Sequence, residues 1–146
     1  MIHHWTRGEY TISTDPARLD LDVIHGFLTR SYWAEGRPPA RVALSIAHSL
    51  PFGVYHASGQ VGFARVVTDY VVVAYLSDVF VLEPHRGHGL GKWLVDVVVG
   101  APELRAIRRW ILGTRDAHAL YRRFGFTDPT PGVLLEKLDP DSDRRG

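Results

Sequence analysis

A chain of 146 residues, 45% apolar and 23% charged, is large enough to fold as one domain that buries roughly 70% of its unfolded surface. Its net charge of +1 comes from 17 basic and 16 acidic residues spread along the sequence, which argues against a dedicated nucleic-acid binder. There is no cysteine, so disulfides, thiolate metal sites and a cysteine nucleophile are excluded, and a cytoplasmic location is expected.

The opening MIHHWTRGEY lacks the apolar core of a signal peptide. The longest apolar run, Val71 to Leu76, falls far short of the ~20 residues that span a bilayer, so no membrane partner is expected. Tyr10 to Ser13 reads as a short strand. Thr14 or Asp15 then caps a helix with Pro16 in its first turn, and Leu21-Ile24-Leu28 with Leu19-Val23-Phe27 carry it to about Ser31. WAEGRPPA breaks that helix, and Pro39 opens a second one carrying Val42, Leu44, Ile46 and Ala47. FGVYHASGQVGFARVV predicts a hairpin turning at Ser58-Gly59. Residues 71–82 predict a longer strand, apolar on both faces and therefore central and covered on both sides.

After a glycine-rich segment, Leu90, Leu94, Val97 and Val98 predict a helix from about Gly89 to Gly100. RRWILGT is a short strand, and RDAHALYRRFG a helix closed by Gly125. GVLLEKL is a last strand, completing a single domain over residues 1–138, and residues 139–146 are expected to be a disordered tail. The order β-αα-βββ-α-β-α-β is that of a mixed α/β domain.

The glycine-rich segment, HRGHGLGK, joins a strand to a helix, which is a general device for holding anions on free backbone amides. Its spacing fits neither a P-loop nor a dinucleotide fingerprint: the first needs glycine where Arg86 stands, the second where Lys92 or Leu94 stands. It does fit R-x-x-G-x-G, with Arg86, Gly89 and Gly91. Here the chain resembles the GNAT superfamily of acetyl-CoA-dependent N-acetyltransferases, whose coenzyme signature is [QR]-x-x-G-x-[GA]. The later DAHALYRRFGF resembles that family's second signature, a helix ending in Tyr-x-x-x-Gly-Phe, so the likeness covers residues 75–126.

The resemblance implies a single-domain GNAT-like fold: a mixed, mostly antiparallel central sheet with splayed strands, flanked by helices. It also implies that amides of Arg86, Gly87, His88, Gly89, Leu90, Gly91 and Lys92 hold the pyrophosphate of acetyl-CoA. The strand around Phe80 and Val81 would bulge, splay and pair with the pantetheine arm. Glycines at 87, 89 and 91 suit close backbone approach to phosphate. Where the family often carries an asparagine seven residues before the tyrosine, this chain has Thr114, which can still donate and accept a hydrogen bond. His118 is expected on the coenzyme side of the last helix.

Tyr121 matches the family's general acid, and a phenol of pKa ~10 suits a departing thiolate, judged from the ~8.5 of a cysteine thiol. By spacing alone it is a core aromatic beside Leu120 and Phe124. Asp78, in an otherwise apolar strand, is costly unless paired or functional: it is either a general base or one half of an ion pair. Tyr32, Trp33 and Arg37 lie in the connection that lines the acceptor side in the family. They are candidates for an apolar pocket with a carboxylate clamp, or Trp33 merely plugs a helix end. His85 and His88 form H-x-x-H with no third ligand nearby, so no metal is expected.

The activity implied is direct acetyl transfer from acetyl-CoA to a small-molecule or peptide amine, with a homodimer compatible. The alternative is a non-catalytic acyl-CoA-binding module that senses coenzyme or docks a partner.

Overall fold

The computed structural model describes residues 1–57 and 59–145; Ser58, half of the expected hairpin turn, and Gly146 lie outside the described residues. Among the described residues six strands form one sheet in sequence order. β1 (His4–Arg7), which the sequence did not announce, pairs antiparallel with β2 (Tyr10–Ser13) around Gly8, whose φ of +58° makes the reversal. β3 (Leu50–His56), β4 (Gly59–Thr68) and β5 (Val73–Val81) continue the antiparallel meander. β6 (Arg109–Ile111) then joins β5 in parallel.

The long first helix expected from residue 16 to 31 is divided. Asp15 caps a single 3-10 turn (Pro16–Arg18), and Asp20 separately caps α1 (Leu21–Leu28) by accepting from the amides of Asp22 and Val23. Asp20 is extended, and its side chain satisfies amides that a continuous helix would bond to carbonyls, so it ends one turn and starts the next. α2 (Pro39–Ala47) and α3 (Leu90–Gly100) fall where the sequence puts them.

Phe63 and Ala64 are neighbours on β4 yet belong to different apolar clusters, so the sheet is covered on both faces. On one side α3 packs Leu94, Val95 and Val98 against Val54, Val66 and Leu76. On the other, α1 and α2 pack Ile24, Leu28, Val42 and Ile46 against Phe63 and Phe80. At about 1.5–3 kcal/mol for each buried aliphatic side chain, α3 alone is held firmly enough to fix the loop that precedes it.

Three expectations are corrected at the C-terminal side. GVLLEKL forms no strand: Pro129, Pro131 and a turn from Thr130 to Val133 redirect the chain, Gly132 has φ +79°, and residues 132–138 are exposed. Consequently β5 is not central but one strand from the edge. Nor is the tail structureless: α5 (Ser142–Arg145) is tied back by Asp143, which accepts from the guanidinium groups of Arg37 and Arg41.

Candidate active site

β5 and β6 pair only over Val73–Arg109, Ala74–Trp110 and Tyr75–Ile111. Beyond Tyr75 the two chains part, and the rest of β5 bonds only to β4. The splay expected from the resemblance is therefore present. The bulge sits slightly earlier than expected: Asp78 and Val79, rather than residues around 80–82, stand opposite the single residue Ala64 of β4. Asp78 has φ +55°, a conformation uncommon outside glycine, and the distortion turns its side chain into a crowded polar site.

That site fills the carboxylate. Oδ1 accepts from Trp33 Nε1 at 2.9 Å and Oδ2 from Arg65 Nε at 2.9 Å, while Arg37 Nη1 stands 4.0 Å from Oδ1. Asp78 is 5% exposed, so these donors replace the water it has lost. Arg65 also reaches Ser49 Oγ at 3.1 Å and Ser77 Oγ at 3.4 Å. Of the two readings of Asp78, the geometry is that of the ion pair.

Tyr32 crosses the opening from the other direction. Its hydroxyl accepts from the Arg115 amide at 3.0 Å, and the Arg115 guanidinium lies 4.1 Å from its ring centroid. The α1–α2 connection thus bridges the two arms of the splay. Beneath it is a cavity of about 420 Å³ lined by Tyr32, Trp33, Asp78, Val79, Thr114 and Tyr121 among others. A second cavity of about 900 Å³ continues past Leu112, Thr114 and Tyr121 to Trp110, His118 and Phe126. Tyr121 borders both.

Tyr121 lies on α4 (His118–Arg122), closed as expected by Gly125 at φ +90°. It is 8% exposed, and burial chiefly, with smaller effects of Tyr32 and Asp116, pushes its phenol up to about 12. It therefore stays protonated throughout the neutral range. Thr114 Oγ1 accepts from the Ala117 amide at 3.1 Å in the turn that leads into α4, leaving its own O–H to donate.

The glycine loop follows a single 3-10 turn (Glu83–His85) at the end of β5. Gly87 and Gly89 have φ of +84° and +75°, so the backbone itself requires glycine there. Gly91 does not: it sits in the first turn of α3, and a Cβ added to it would meet nothing within 4 Å. Open space above Gly91 is what close approach by a ligand needs. Gly89 caps α3 without any side-chain bond, and no acidic residue stands in the first turn, so the leading amides are left for an anion.

The side chains around the loop have roles of their own. Phe80 stacks on Phe27 at 4.1 Å within the core, and the Arg86 Nε donates to the Val81 carbonyl at 3.0 Å, steadying the turn. His88 and Lys92 are exposed beside the loop. His85 Nδ1 is bonded to Tyr10 Oη at 2.9 Å, and among the described residues no group of three or more His, Asp or Glu is placed to hold a metal ion.

Two contributors escaped the sequence reading. Arg65 has no motif and is distinguished only by being charged inside an apolar strand. Arg7 comes from the unforeseen β1; its Nη2 would lie 3.5 Å from a Cβ on Gly89, adding a cation beside the amides.

Fold and site together combine a splayed sheet, a glycine loop with free amides at the mouth, and a buried phenol where the strands part. Sequence comparison agrees. The acetyltransferase (GNAT) domain profile matches residues 48–128, and the chain belongs to the GNAT acetyltransferase family. A Gibberella zeae protein to which acetyltransferase activity is ascribed is 32% identical, the match covering 86% of this chain and 83% of that one. The crystal structure of a GNAT-family protein from Xanthomonas campestris pv. campestris superposes with a TM-score of 0.88 at 46% identity, covering 92% of this chain and 96% of that one. A Clostridium acetobutylicum protein solved with acetyl-CoA shares the fold, with a TM-score of 0.62 at 15% identity over 93% and 96% of the two chains. Among the described residues no helix is long and apolar enough to cross a membrane.

Proposed function

We propose that this GNAT acetyltransferase moves an acetyl group from acetyl-CoA directly to a primary amine within a ternary complex in the cytoplasm. The observation that carries the reading is the convergence of Tyr121, Trp33 and Asp78 on one cavity where β5 leaves β6. Acetyl-CoA suits the open cradle above Gly91, and it is the ligand of the Clostridium structure.

When bound, the coenzyme supplies an activated thioester carbonyl. The amides at the start of α3, with Arg7 nearby, neutralise its pyrophosphate. Leu82 N–H bonds to Val61 of β4, so by strand alternation the Val81 N–H faces the open side. There it hydrogen-bonds the carbonyl oxygen as negative charge develops. The amine nitrogen attacks the carbonyl carbon, the C–S bond breaks, and the amine's surplus proton leaves to solvent. Tyr121 donates its O–H to the departing sulfur. Because its pKa of about 12 exceeds the ~8.5 of a thiol, complete transfer is uphill, and the phenol serves first as a hydrogen-bond donor. Asp78 holds Trp33 and Arg37 in place on the acceptor side. The acceptor is a small-molecule or peptide amine rather than nucleic acid.

The test is a panel of amines, amino acids and peptides with acetyl-CoA and a free-thiol readout. With no cysteine to carry the acetyl group, initial-rate lines for the best acceptor should intersect. Parallel lines with an acetylated protein as a competent intermediate contradict direct transfer. Tight acetyl-CoA binding without thiol release for any amine favours a sensor.

A further inference from the structure

The C-terminal helix α5 makes a contact that neither the fold nor the chemistry above requires. Asp143 lies 106 residues beyond Arg37 and 102 beyond Arg41, yet its carboxylate is seated between them. Arg37 Nε donates to both oxygens at 3.0 and 3.1 Å, and Arg41 Nε donates to Oδ1 at 3.0 Å. Arg41 Nη2 adds a bond to Ser142 Oγ at 3.3 Å. Burial alone would raise the Asp143 carboxyl, but its hydrogen bonds and charge interactions with Arg37 and Arg41 outweigh this and hold it below the usual carboxylate range.

Two guanidinium groups four residues apart repel one another unless an anion lies between them. Their position matters as much as their charge. Arg37 also points Nη1 towards Asp78, at 4.0 Å, and Asp78 with its partner Trp33 lines the cavity where transfer is placed. The pair therefore stands at the acceptor side of the site, with one member reaching inward. Its occupant is loosely tethered: residues 127–138 between α4 and α5 contain no helix or strand, and residues 129–138 are exposed throughout. The Arg37 and Arg41 side chains remain 22% and 39% exposed with Asp143 in place, so the pair is reachable from solvent.

We propose that Arg37 and Arg41 form a carboxylate-binding subsite for the acceptor, and that Asp143 is its internal occupant in the unliganded protein. The acceptor class that follows is an amine carrying a carboxylate. This rests on the amine-acetyltransferase reading for its biological meaning, though not for its test. An acceptor carboxylate must displace Asp143, so its apparent affinity is reduced by the fraction of molecules with the seat free. A seat filled about 90% of the time weakens binding about ten-fold.

The experiment uses the full chain and two probes of equal length, 4-aminobutyrate and 1-aminobutane, followed by NMR of the arginine Nε–Hε signals. In the unaltered protein 4-aminobutyrate should shift both Arg37 and Arg41 signals, and 1-aminobutane should shift neither. Asp143→Ala should tighten 4-aminobutyrate binding about ten-fold. Adding Arg41→Gln, which removes the more exposed arginine and spares the core, should abolish that gain. Equal responses to the two probes, or no tightening in Asp143→Ala, overturn the proposal. Thiol release from acetyl-CoA, measured in parallel, separates the two readings. Selective binding without release from any amine of the panel removes the transferase assignment and leaves the subsite, whereas turnover indifferent to the carboxylate removes the subsite alone.

Discussion

Replacing Asp78 with alanine is expected to cost about 3 kcal/mol of stability, because it strips the counter-charge from Arg65, whose side chain is only 12% exposed. Breaking a buried pair by removing one partner costs about 3–5 kcal/mol, and the adjoining cavity, which admits some water, places this case at the lower end. The φ of +55° adds to the penalty, since alanine tolerates that region less well than aspartate. For a chain of this size the melting temperature should fall by roughly 6–12 °C. Arg65→Met in the same background should recover most of the loss, because it removes the stranded cation and keeps its packing. An Asp78→Ala variant melting with the parent would show that the Trp33–Asp78–Arg65 unit contributes nothing to the site's construction.

Tyr121→Phe should leave the fold and coenzyme affinity nearly unchanged, since one oxygen is lost and the ring remains against Phe126. The turnover rate should fall about 10²-fold, the lower end for loss of a general acid, because a phenol near 12 is a weak donor to a thiolate. The same value fixes the pH dependence. The active form is the protonated one, and its pKa is raised, so the phenol should impose no fall in rate between pH 8 and 10. An ordinary phenol would impose a fall near pH 10. A variant with full turnover would reduce Tyr121 to a core aromatic.

What was legible in the sequence is what is local. Arg86, Gly89 and Gly91 lie within six residues, and the loop's geometry follows from local backbone preferences, with Gly87 and Gly89 at positive φ. Tyr121 lies on one short helix and Gly125 in the turn that closes it, so their relation was also readable. The Asp78 site was not, because its partners come from the α1–α2 connection and from β4, brought together only by the register of the meander and its bulge. The last strand was misread for a related reason. GVLLEKL has strand-forming residues, but β6 is three residues long, and prolines at 129 and 131 turn the chain before it could pair. Asp143 and its arginines are more than 100 residues apart, beyond the reach of any local pattern.

The central claim is that the backbone at the start of α3 is the coenzyme's phosphate seat, and Gly91 tests it more cleanly than Gly89. Valine at residue 89 would be strained by its φ of +75° whatever bound there. At Gly91 a side chain meets nothing within 4 Å, and leaving glycine in a helix is if anything stabilising, by a few tenths of a kcal/mol. Calorimetry of acetyl-CoA binding to Gly91→Val should show affinity reduced at least about ten-fold, a loss of ~1.4 kcal/mol or more, in a protein that melts no lower than its parent. Unchanged affinity in that folded variant would contradict the account.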